Sequence, residues 1–372
     1  MSSFLLFSLP VLSNELDSRN VRAVADQHEQ TLKTSNFRAE KRQLEALLQE
    51  MACKVPSIHC SQLRIYVMRS SEQKILGMPN GAVFLTTGLL LRMRSDSEIA
   101  GLIFHEIAHI QRGHFVSNFQ TRKRNQNLFN LVTLPLRSIA TWRYVFNEEI
   151  SLYERPYSNR QEKEADIDAI ESMTKAGYSS LSLLNVLQRH SDEADTPEKQ
   201  RHSLVTAHPV SSGRLEHLRV LTESSNKSVN DDPENVILDL LNDYRVEFLY
   251  DELQEISSDS FIFLLFNQRK FSNLSSGTLN YLCASSWVFT SKANDLPSEE
   301  KEEAYINANA CFKEGAQSEE GMPAIGYREW GKLNDKMGNK CRAKKAYQAY
   351  LKLDPSAWDA KFVVKRLGKL AC

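Results

Sequence analysis

The sequence predicts a mainly helical α+β fold: one domain with a small sheet, followed by a second domain made of helices. A helix is indicated from Ser95, because Ser95 and Glu98 have capping-box spacing and apolar residues then recur at helical intervals up to Ile110. Residues 82–85 form a short apolar run typical of a strand. Residues 226–235 are rich in Ser, Asn, Asp and Pro and predict a linker.

The helix that starts at Ser95 carries the pattern H-E-x-x-H. His105 and His109 are four residues apart, so both side chains leave one helix face and can share a metal ion. Glu106 stands beside them and is predicted to act as general base toward a water molecule at the metal. The motif favours a zinc hydrolase, above all a peptidase. The alternative is a chance match in which both histidines only satisfy hydrogen bonds in a core.

A third metal ligand is predicted on a second helix, whose start is indicated by the capping-box spacing of Ser158 and Gln161. Glu162 and Asp166 lie four residues apart and share a face of that helix. Two inward carboxylates would repel each other unless Glu162 binds the metal and Asp166 accepts an N–H from a ligand histidine. Glu164 is expected to point into solvent. The alternative is a charged helix on the protein surface.

His114 competes for the ligand role, but it lies five residues beyond His109 and is therefore rotated off the metal face. Arg112 and Phe115 occupy positions where the metzincin pattern requires Gly and His, which disfavours that class. We expect His114 to be a polar residue late in the same helix.

Four blocks of sequence, in this order and spacing, resemble the zinc metallopeptidase family that includes HtpX, the CAAX prenyl proteases and the soluble periplasmic BepA-like proteases: residues 78–90, 97–109, 162–178 and 208–215. The resemblance covers roughly residues 40–222 and implies a zincin-like metalloprotease domain. It implies one Zn²⁺ ion per chain, bound by His105, His109 and Glu162, with Glu106 as the catalytic base.

The chain also departs from that family's pattern near the third ligand. The family often has Arg three residues before the ligand glutamate, whereas this chain has Asn159 there and Arg160 one position later. Ile167 stands where an Arg often follows Ala-Asp. These differences leave open how charge is balanced around the ligands, where Asp166 and Arg214 are the expected supporting residues.

His208, in the sequence His-Pro, is the candidate for a further catalytic role. It can donate a hydrogen bond to the tetrahedral oxyanion. Alternatively, it binds zinc itself and keeps the enzyme latent, or it is an ordinary loop histidine. The strand at residues 82–85 is expected to border the cleft and to offer an unpaired edge for an extended peptide. A purely structural strand is the alternative.

Composition narrows the cellular setting. The chain has 372 residues, 41% of them hydrophobic, and a formal net charge of −1, so nothing favours nucleic acid. Residues 4–12 resemble the apolar part of a signal peptide without its basic start, and they favour export to the periplasm, with a cytoplasmic location left open. We expect no transmembrane helix. Residues 128–146 are interpreted as a lid, a contact with a membrane surface, or a pair of core helices.

Six cysteines permit disulfides in an exported protein, and buried thiols are equally compatible. The predicted organisation is a signal or targeting segment at 1–20, a zinc metalloprotease domain at 21–225, a linker at 226–236 and a helical domain at 237–372. Within the last, several residues have tetratricopeptide-like (TPR-like) spacing: Tyr327, Trp330, Gly331, Ala343, Tyr347 and Pro355. Such a domain binds protein partners, here envelope assembly machinery, or only caps the protease.

Together these features predict a zinc-dependent metalloendopeptidase that cleaves unfolded or misassembled proteins in bacterial envelope quality control. Its partners are protein or peptide substrates. One alternative is a chaperone-like scaffold or binding protein with a latent protease site. Another is a zinc hydrolase that acts on non-peptide amides.

Overall fold

A computed structural model describes residues 9–56, 58–125, 156–193, 204, 208–225, 234–294 and 296–371. The chain divides into two compact units, Met1–Leu241 and Asn242–Cys372. Most described residues are helical and three short strands form one sheet, so the predicted mainly helical α+β fold is confirmed.

The first unit contains nine described helices and the three strands, with the last helix ending at the border of the second unit. In chain order they are α1 (Leu9–Lys33), α2 (Arg42–Ala52), β1 (Arg64–Met68), β2 (Ile75–Gly77), β3 (Ala82–Thr86), α3 (Thr87–Leu90), α4 (Asp96–Gln111), α5 (His114–Asn125), α6 (Asn159–Ala176), α7 (Leu181–Glu193), α8 (Ser212–Ser225) and α9 (Val236–Asn242).

The sheet has the strand order β1-β3-β2, with β3 parallel to β1 and antiparallel to β2. The predicted strand at 82–85 therefore exists, but it is central and paired on both sides. The expectation that it offers a free edge is wrong. Its residues are all buried, because it lies between two neighbours and under helices, whereas an apolar run alone does not distinguish a central strand from an edge.

The outer edge of β1 is closed by side chains of α2. Gln49 accepts a hydrogen bond from the backbone N–H of Ile65 at 3.1 Å, and Glu45 accepts one from Val67 at 3.1 Å. The backbone of residues 37–39 bonds to the end of the same strand. Within the described residues β2 is the other edge strand, and no strand pairs with its outer side, where Gly77 N–H bonds the Glu106 side chain.

The caps of the two predicted helices differ in detail. The hydroxyl of Ser95 accepts a hydrogen bond from Glu98 N–H, but the Glu98 carboxylate bonds to Arg94 N–H and Arg189 instead of closing the capping box. At α6 the predicted capping box is confirmed. The Ser158 side chain accepts a hydrogen bond from the Gln161 backbone, and the Gln161 side chain accepts one from the Ser158 backbone. These caps fix where each helix begins and so fix the rotation of its residues.

The second unit consists of helices α10 to α16: Arg245–Glu255, Ser258–Phe271, Ser276–Thr290, Ser298–Gln317, Ala324–Lys336, Lys340–Leu353 and Ala360–Leu367. Helices α14 and α15 pack closely because Gly331 has no side chain. A Cβ at that position would lie 2.6 Å from the ring of Tyr347. This contact is compatible with the tetratricopeptide-like spacing, which stays a prediction.

Several predictions fall partly or wholly outside the described residues. The segment at 128–146 is one of them, as are residues 1–8 of the predicted targeting segment and residues 226–233 of the predicted linker. From Leu9 onward the chain belongs to α1. Among the described helices, none has both the length and the apolar character that crossing a bilayer requires.

The cysteines form disulfides in both units. Cys53 pairs with Cys60, and Cys283 pairs with Cys311. Cys341 is also disulfide-bonded, so no free thiol exists in the described part of the chain. Of the two alternatives that the sequence left open, disulfides are therefore the one observed.

Candidate metal centre

Helix α4 supplies two histidines to a buried site. His105 and His109 are 3% and 1% exposed, and their Nε2 atoms lie 3.0 Å apart. The helix is buried on nearly every side, so the polar pair is turned into the interior. Two imidazole nitrogens aimed at one point inside a core require a common partner.

Helix α6 packs along α4 and brings the predicted third ligand to the same point. Glu162 Oε2 lies 3.3 Å from His105 Nε2, and Oε1 lies 3.7 Å from His109 Nε2. The glutamate side chain is fully buried. The structure thus brings Glu162 to two histidines that precede it by more than fifty positions in the sequence.

His208 completes the group. Its Nδ1 atom lies 3.3 Å from His105 Nε2 and 3.3 Å from Glu162 Oε1. The four residues each offer one ligand atom, and these atoms all lie within 4.8 Å of one another. The alternative that His208 is an ordinary loop residue does not fit this burial and convergence.

These atoms suit a zinc ion. Donors at about 2.0–2.1 Å around a tetrahedral zinc are about 3.3–3.4 Å apart, and histidine nitrogen and carboxylate oxygen are ligands that zinc accepts. The observed separations are 3.0, 3.3 and 3.7 Å. Within the described residues, both Glu162 oxygens are buried without a well-aligned hydrogen bond, although Arg214 Nη1 lies 2.5 Å from Oε2. A cation satisfies those oxygens.

The surrounding charges keep the carboxylate ionised. Burial alone would raise the pKa of Glu162, but His208 and Arg214 outweigh it and hold that pKa well below the ordinary value. Burial alone would also raise the pKa of Asp166, but Arg214 and His105 outweigh it and hold that pKa below its ordinary value. Since a metal ligand must be deprotonated, this balance prepares the site for a cation.

Asp166 and Arg214 hold the ligands in place. Asp166 Oδ1 lies 3.0 Å from His105 Nδ1, which leaves Nε2 of that histidine for a metal. Arg214 binds both oxygens of Asp166, at 2.9 and 2.7 Å. It is itself 1% exposed. The charge balance that the sequence left open is thus supplied from α8.

Arg160, the nearest arginine in sequence to the position where the family often has one, lies elsewhere. Its side chain is 86% exposed and pairs with Glu164. One position of shift rotates a helical residue by about 100°, which is enough to move it from the buried face to the surface.

Glu106 is held from two sides. Its Oε2 accepts a hydrogen bond from the backbone N–H of Gly77 at 2.7 Å, and His208 Nε2 lies 2.8 Å from Oε1. A Cβ at Gly77 would lie 3.0 Å from Oε2, so the lack of a side chain there leaves room for this close approach. Burial would lower the pKa of His208, but Glu106 and Glu162 raise it to about 10.

With this geometry established, the comparison with known proteins identifies the domain. Residues 38–222 match Peptidase family M48. The chain carries an M48 peptidase domain. Members of this family are metalloproteases that use zinc, so the predicted cofactor and the predicted family are both confirmed. The match ends inside α8, just after Arg214.

Three bacterial proteins are similar to part of the chain. A protein described as a beta-barrel assembly-enhancing protease of Vibrio cholerae is 26% identical over 159 residues, 40% of this chain and 32% of its own length. Metalloprotease LoiP of Escherichia coli is 25% identical over 156 residues, 41% of this chain and 60% of LoiP. Metalloprotease YcaL of Escherichia coli is 24% identical over 165 residues, 44% of this chain and 63% of YcaL. The chain thus spans about a third to three fifths of these relatives.

His114 has a place in the M48 site that the sequence did not predict. It is the first residue of α5, not a late residue of α4, because Gly113 has a left-handed φ of 64° and ends the helix. Its Nδ1 lies 2.8 Å from His109 Nδ1, and its Nε2 lies 3.2 Å from Glu164. Glu164 is therefore a partner of the site and not only a solvated residue.

Tyr157 also borders the M48 site and was missed in the sequence. Its ring stacks on His109 with 3.8 Å between ring centroids. Burial, with Glu106 and Glu162 nearby, raises the pKa of its hydroxyl. Its position immediately before the Ser158 cap was the available signal, since a residue there is held next to the third ligand.

Proposed function

We propose that this protein is a zinc-dependent metalloendopeptidase. The observation that carries the proposal is the convergence of His105, His109 and Glu162. Glu106 lies on the same helix as the two histidines. The M48 match supports the peptidase class over hydrolysis of non-peptide amides.

The proposed chemistry divides between the metal and the chain. Zinc, when bound, lowers the pKa of a water molecule and polarises a carbonyl group. Glu106 takes a proton from the attacking water and delivers it to the leaving amine. Asp166 and Arg214 keep His105 and Glu162 in the orientation and charge state that the ligands need.

We propose that an extended substrate binds along the outer side of β2, away from β3. Thr86 N–H donates to Lys74 O, and Met78 N–H donates to Ala82 O. The backbone groups of Lys74 and Met78, which flank β2, therefore point toward β3. Because facing alternates along an antiparallel strand, the backbone groups of Ile75 and Gly77 point away from β3. Gly77 already bonds Glu106 there. A peptide added to this edge would therefore lie beside the general base.

Of the roles proposed for His208, the contacts support latency. Its Nδ1 stands among the ligand atoms, while its Nε2 is paired with the carboxylate that must act as base. In this arrangement Gly77 N–H and His208 Nε2 lie 2.7 and 2.8 Å from the two Glu106 oxygens, so His208 competes with a water molecule for the base. We infer a resting state in which His208 is a fourth ligand and must leave before catalysis; donation to an oxyanion would follow only after such a movement.

The test of the proposed function uses casein and a denatured envelope protein as substrates. Wild-type protein should cleave them, chelation should stop cleavage, and Glu106→Gln should abolish cleavage while still binding about one zinc ion per chain. Cleavage that persists in Glu106→Gln would contradict the assigned base.

A His208→Ala variant separates the two roles of that residue. If His208 restrains the site, basal proteolysis rises in the variant. If it stabilises the oxyanion, turnover falls by about 10²–10³-fold. An unchanged rate would contradict both.

The setting that we propose is the bacterial envelope, with unfolded or misassembled proteins as substrates. The disulfides support an oxidising compartment, as in the periplasm. The description of the Vibrio cholerae relative concerns assembly of beta-barrel proteins, which supports assembly machinery as a partner class. Expression with a fractionation assay would test the location: recovery in the cytoplasm with reduced cysteines would contradict it.

The alternative of a scaffold keeps one supporting observation, the closed contact between His208 and Glu106. It predicts chelator-independent binding of client proteins without cleavage, including in His208→Ala. Cleavage by that variant would dismiss the alternative.

A further inference from the structure

The second unit contains a groove lined by one face of each of three successive helices. Its volume is about 410 Å³. Asn309 and Lys313 come from α13, Tyr327 and Trp330 from α14, and the rest from α15. The α15 residues are Arg342, Lys345, Ala346 and Ala349, whose spacing of three and four places them on one helix face. The groove is thus built by helix packing and not by loops.

Three of the lining side chains are cations without a counter-charge. Lys313, Arg342 and Lys345 are exposed, and none pairs with a carboxylate in the described part of the chain. Lys332 and Arg366 of the same unit, by contrast, do have partners: Lys332 binds Glu329 and Arg366 binds Asp335. The groove therefore concentrates unpaired positive charge, which favours an anionic ligand.

A hydrogen bond from Trp330 fixes the orientation of the Asn309 side chain at the floor of the groove. The Trp330 indole N–H donates to Asn309 Oδ1 at 2.9 Å, and Asn334 Nδ2 lies 3.5 Å from the same oxygen. An indole nitrogen can only donate, so the amide oxygen of Asn309 must face it. The amino group of Asn309 then points to the other side, where within the described residues it has no partner. Two donors are left for a ligand.

We propose that this groove binds the carboxylate groups of an acidic, extended peptide. Arg342 offers a planar fork that suits a carboxylate, Lys313 and Lys345 add charge, and Asn309 donates from the floor. Tyr327 and Trp330 provide apolar surface for a neighbouring side chain. Carboxylates occur in Asp and Glu side chains and at a chain terminus, and the experiment distinguishes these sources.

The groove lies wholly in the second unit, so the proposal does not depend on the proposed peptidase activity. The assay uses the full chain with Glu106→Gln, so that a probe stays intact whether or not the protein is a protease. The probe is a short fluorescent peptide rich in Asp and Glu with one Tyr, and binding is read as fluorescence anisotropy. The same peptide with Asn and Gln in place of its acids, and a version with an amidated terminus, complete the set.

We expect the acidic peptide to bind and its amide counterpart to bind about tenfold more weakly or worse. Binding should weaken as NaCl is raised, because the cations are exposed and screened by salt. Amidation of the terminus reduces binding only if the terminal carboxylate is the group recognised. Equal binding of the acidic and amide peptides, or tighter binding of single-stranded DNA of equal charge, would overturn the proposal.

Two matched pairs of variants locate the site. Asn309→Asp keeps an oxygen for Trp330 but replaces the donors by an acceptor, whereas Asn307→Asp makes the same change two residues away and outside the groove lining. Likewise Arg342→Glu with Lys345→Glu reverses two groove charges, and Lys361→Glu with Lys365→Glu reverses two exposed charges on α16. We expect at least about a tenfold rise in Kd for the groove variants and less than about twofold for the controls. Unchanged thermal unfolding excludes misfolding; equal losses in both members of a pair would overturn the assignment.

Discussion

Two buried arginines, one in each unit, show how differently this chain accommodates an interior cation. Arg214 of the M48 domain is 1% exposed and contacts the carboxylates of Asp166 and Glu162. Arg245 of the second unit is 0% exposed, and it donates to the amide oxygens of Asn242 and Gln268 at 2.8 and 2.7 Å. Burial would lower the pKa of both. Carboxylates reverse this for Arg214, whose pKa is raised, whereas that of Arg245 falls to about 10.

The two arginines therefore have different roles: Arg214 supports the candidate metal site, and Arg245 contributes to packing in the second unit. Arg214 neutralises carboxylates that a metal site needs in ionised form, so its loss leaves buried negative charge. Arg245 donates to neutral amide oxygens, so its loss removes two hydrogen bonds without leaving a buried charge uncompensated. The variants below, in order of decreasing effect, test whether this distinction is real.

Replacing Arg214 by Met should cause the largest loss. Removing one partner of a buried ion pair costs about 3–5 kcal/mol, because the other charges stay buried without compensation. The free energy of unfolding of metal-free protein, read by hydrogen exchange in urea for peptides of each unit, should fall in the first unit alone.

A double variant checks the cause. Adding Asp166→Asn to Arg214→Met removes one uncompensated carboxylate and should restore part of the loss. If the double variant is less stable than the sum of the single changes, charge compensation is not the role of Arg214.

Replacing His114 by Phe should weaken zinc binding about 10–100-fold, since partners that orient a ligand histidine have effects of this size. If His109 binds zinc through Nε2, its Nδ1–H donates to His114, which in turn contacts Glu164. Competition with a chromophoric chelator measures the affinity. His114→Asn retains an acceptor and should recover part of it; equal affinity in the Phe variant would deny the positioning role.

Replacing Arg245 by Met should destabilise the second unit by about 1 kcal/mol, because two hydrogen bonds to amide oxygens are lost while the desolvation of a cation is relieved. Hydrogen exchange of that unit measures it. A loss as large as that of Arg214→Met would remove the distinction between the two arginines.

The ion pair of Arg64 with Glu29 should give the smallest effect of these variants when it is broken. Burial raises the pKa of Glu29, but bonds to Arg64 and Tyr66 lower it below 4.5 overall. The ionised pair therefore stabilises the fold above that pH, and the contribution is lost as pH falls through the depressed pKa. The difference in melting temperature between wild type and Glu29→Gln should shrink on acidification. Glu50→Gln, the same change at an exposed position, is the matched control.

Much of the M48 site followed from local pattern. His105, His109 and Glu106 lie within one helical turn, and Glu162 and Asp166 lie within another, so periodicity and caps place them on defined faces. Gly113 also ends α4 in a way that a sequence can suggest. The expectation that His114 lies late in α4 is wrong because Gly113 ends that helix.

Other features depended on partners far apart in the chain. β3 is central only because β1 and β2 both pair with it. His208 contacts Glu106 across about a hundred positions, and no local rule distinguishes its role as ligand, donor or loop residue. In the second unit, Trp330 determines which side of Asn309 faces the groove.

The sequence by itself determined which residues can bind a metal and on which helices they lie, since helical rotation is a property of neighbouring residues. Only the tertiary structure decided that Arg214 balances the buried carboxylates, that His208 contacts the base, and that β2 is the edge strand beside the base. These depend on packing, because burial and charge compensation exist only when distant segments meet.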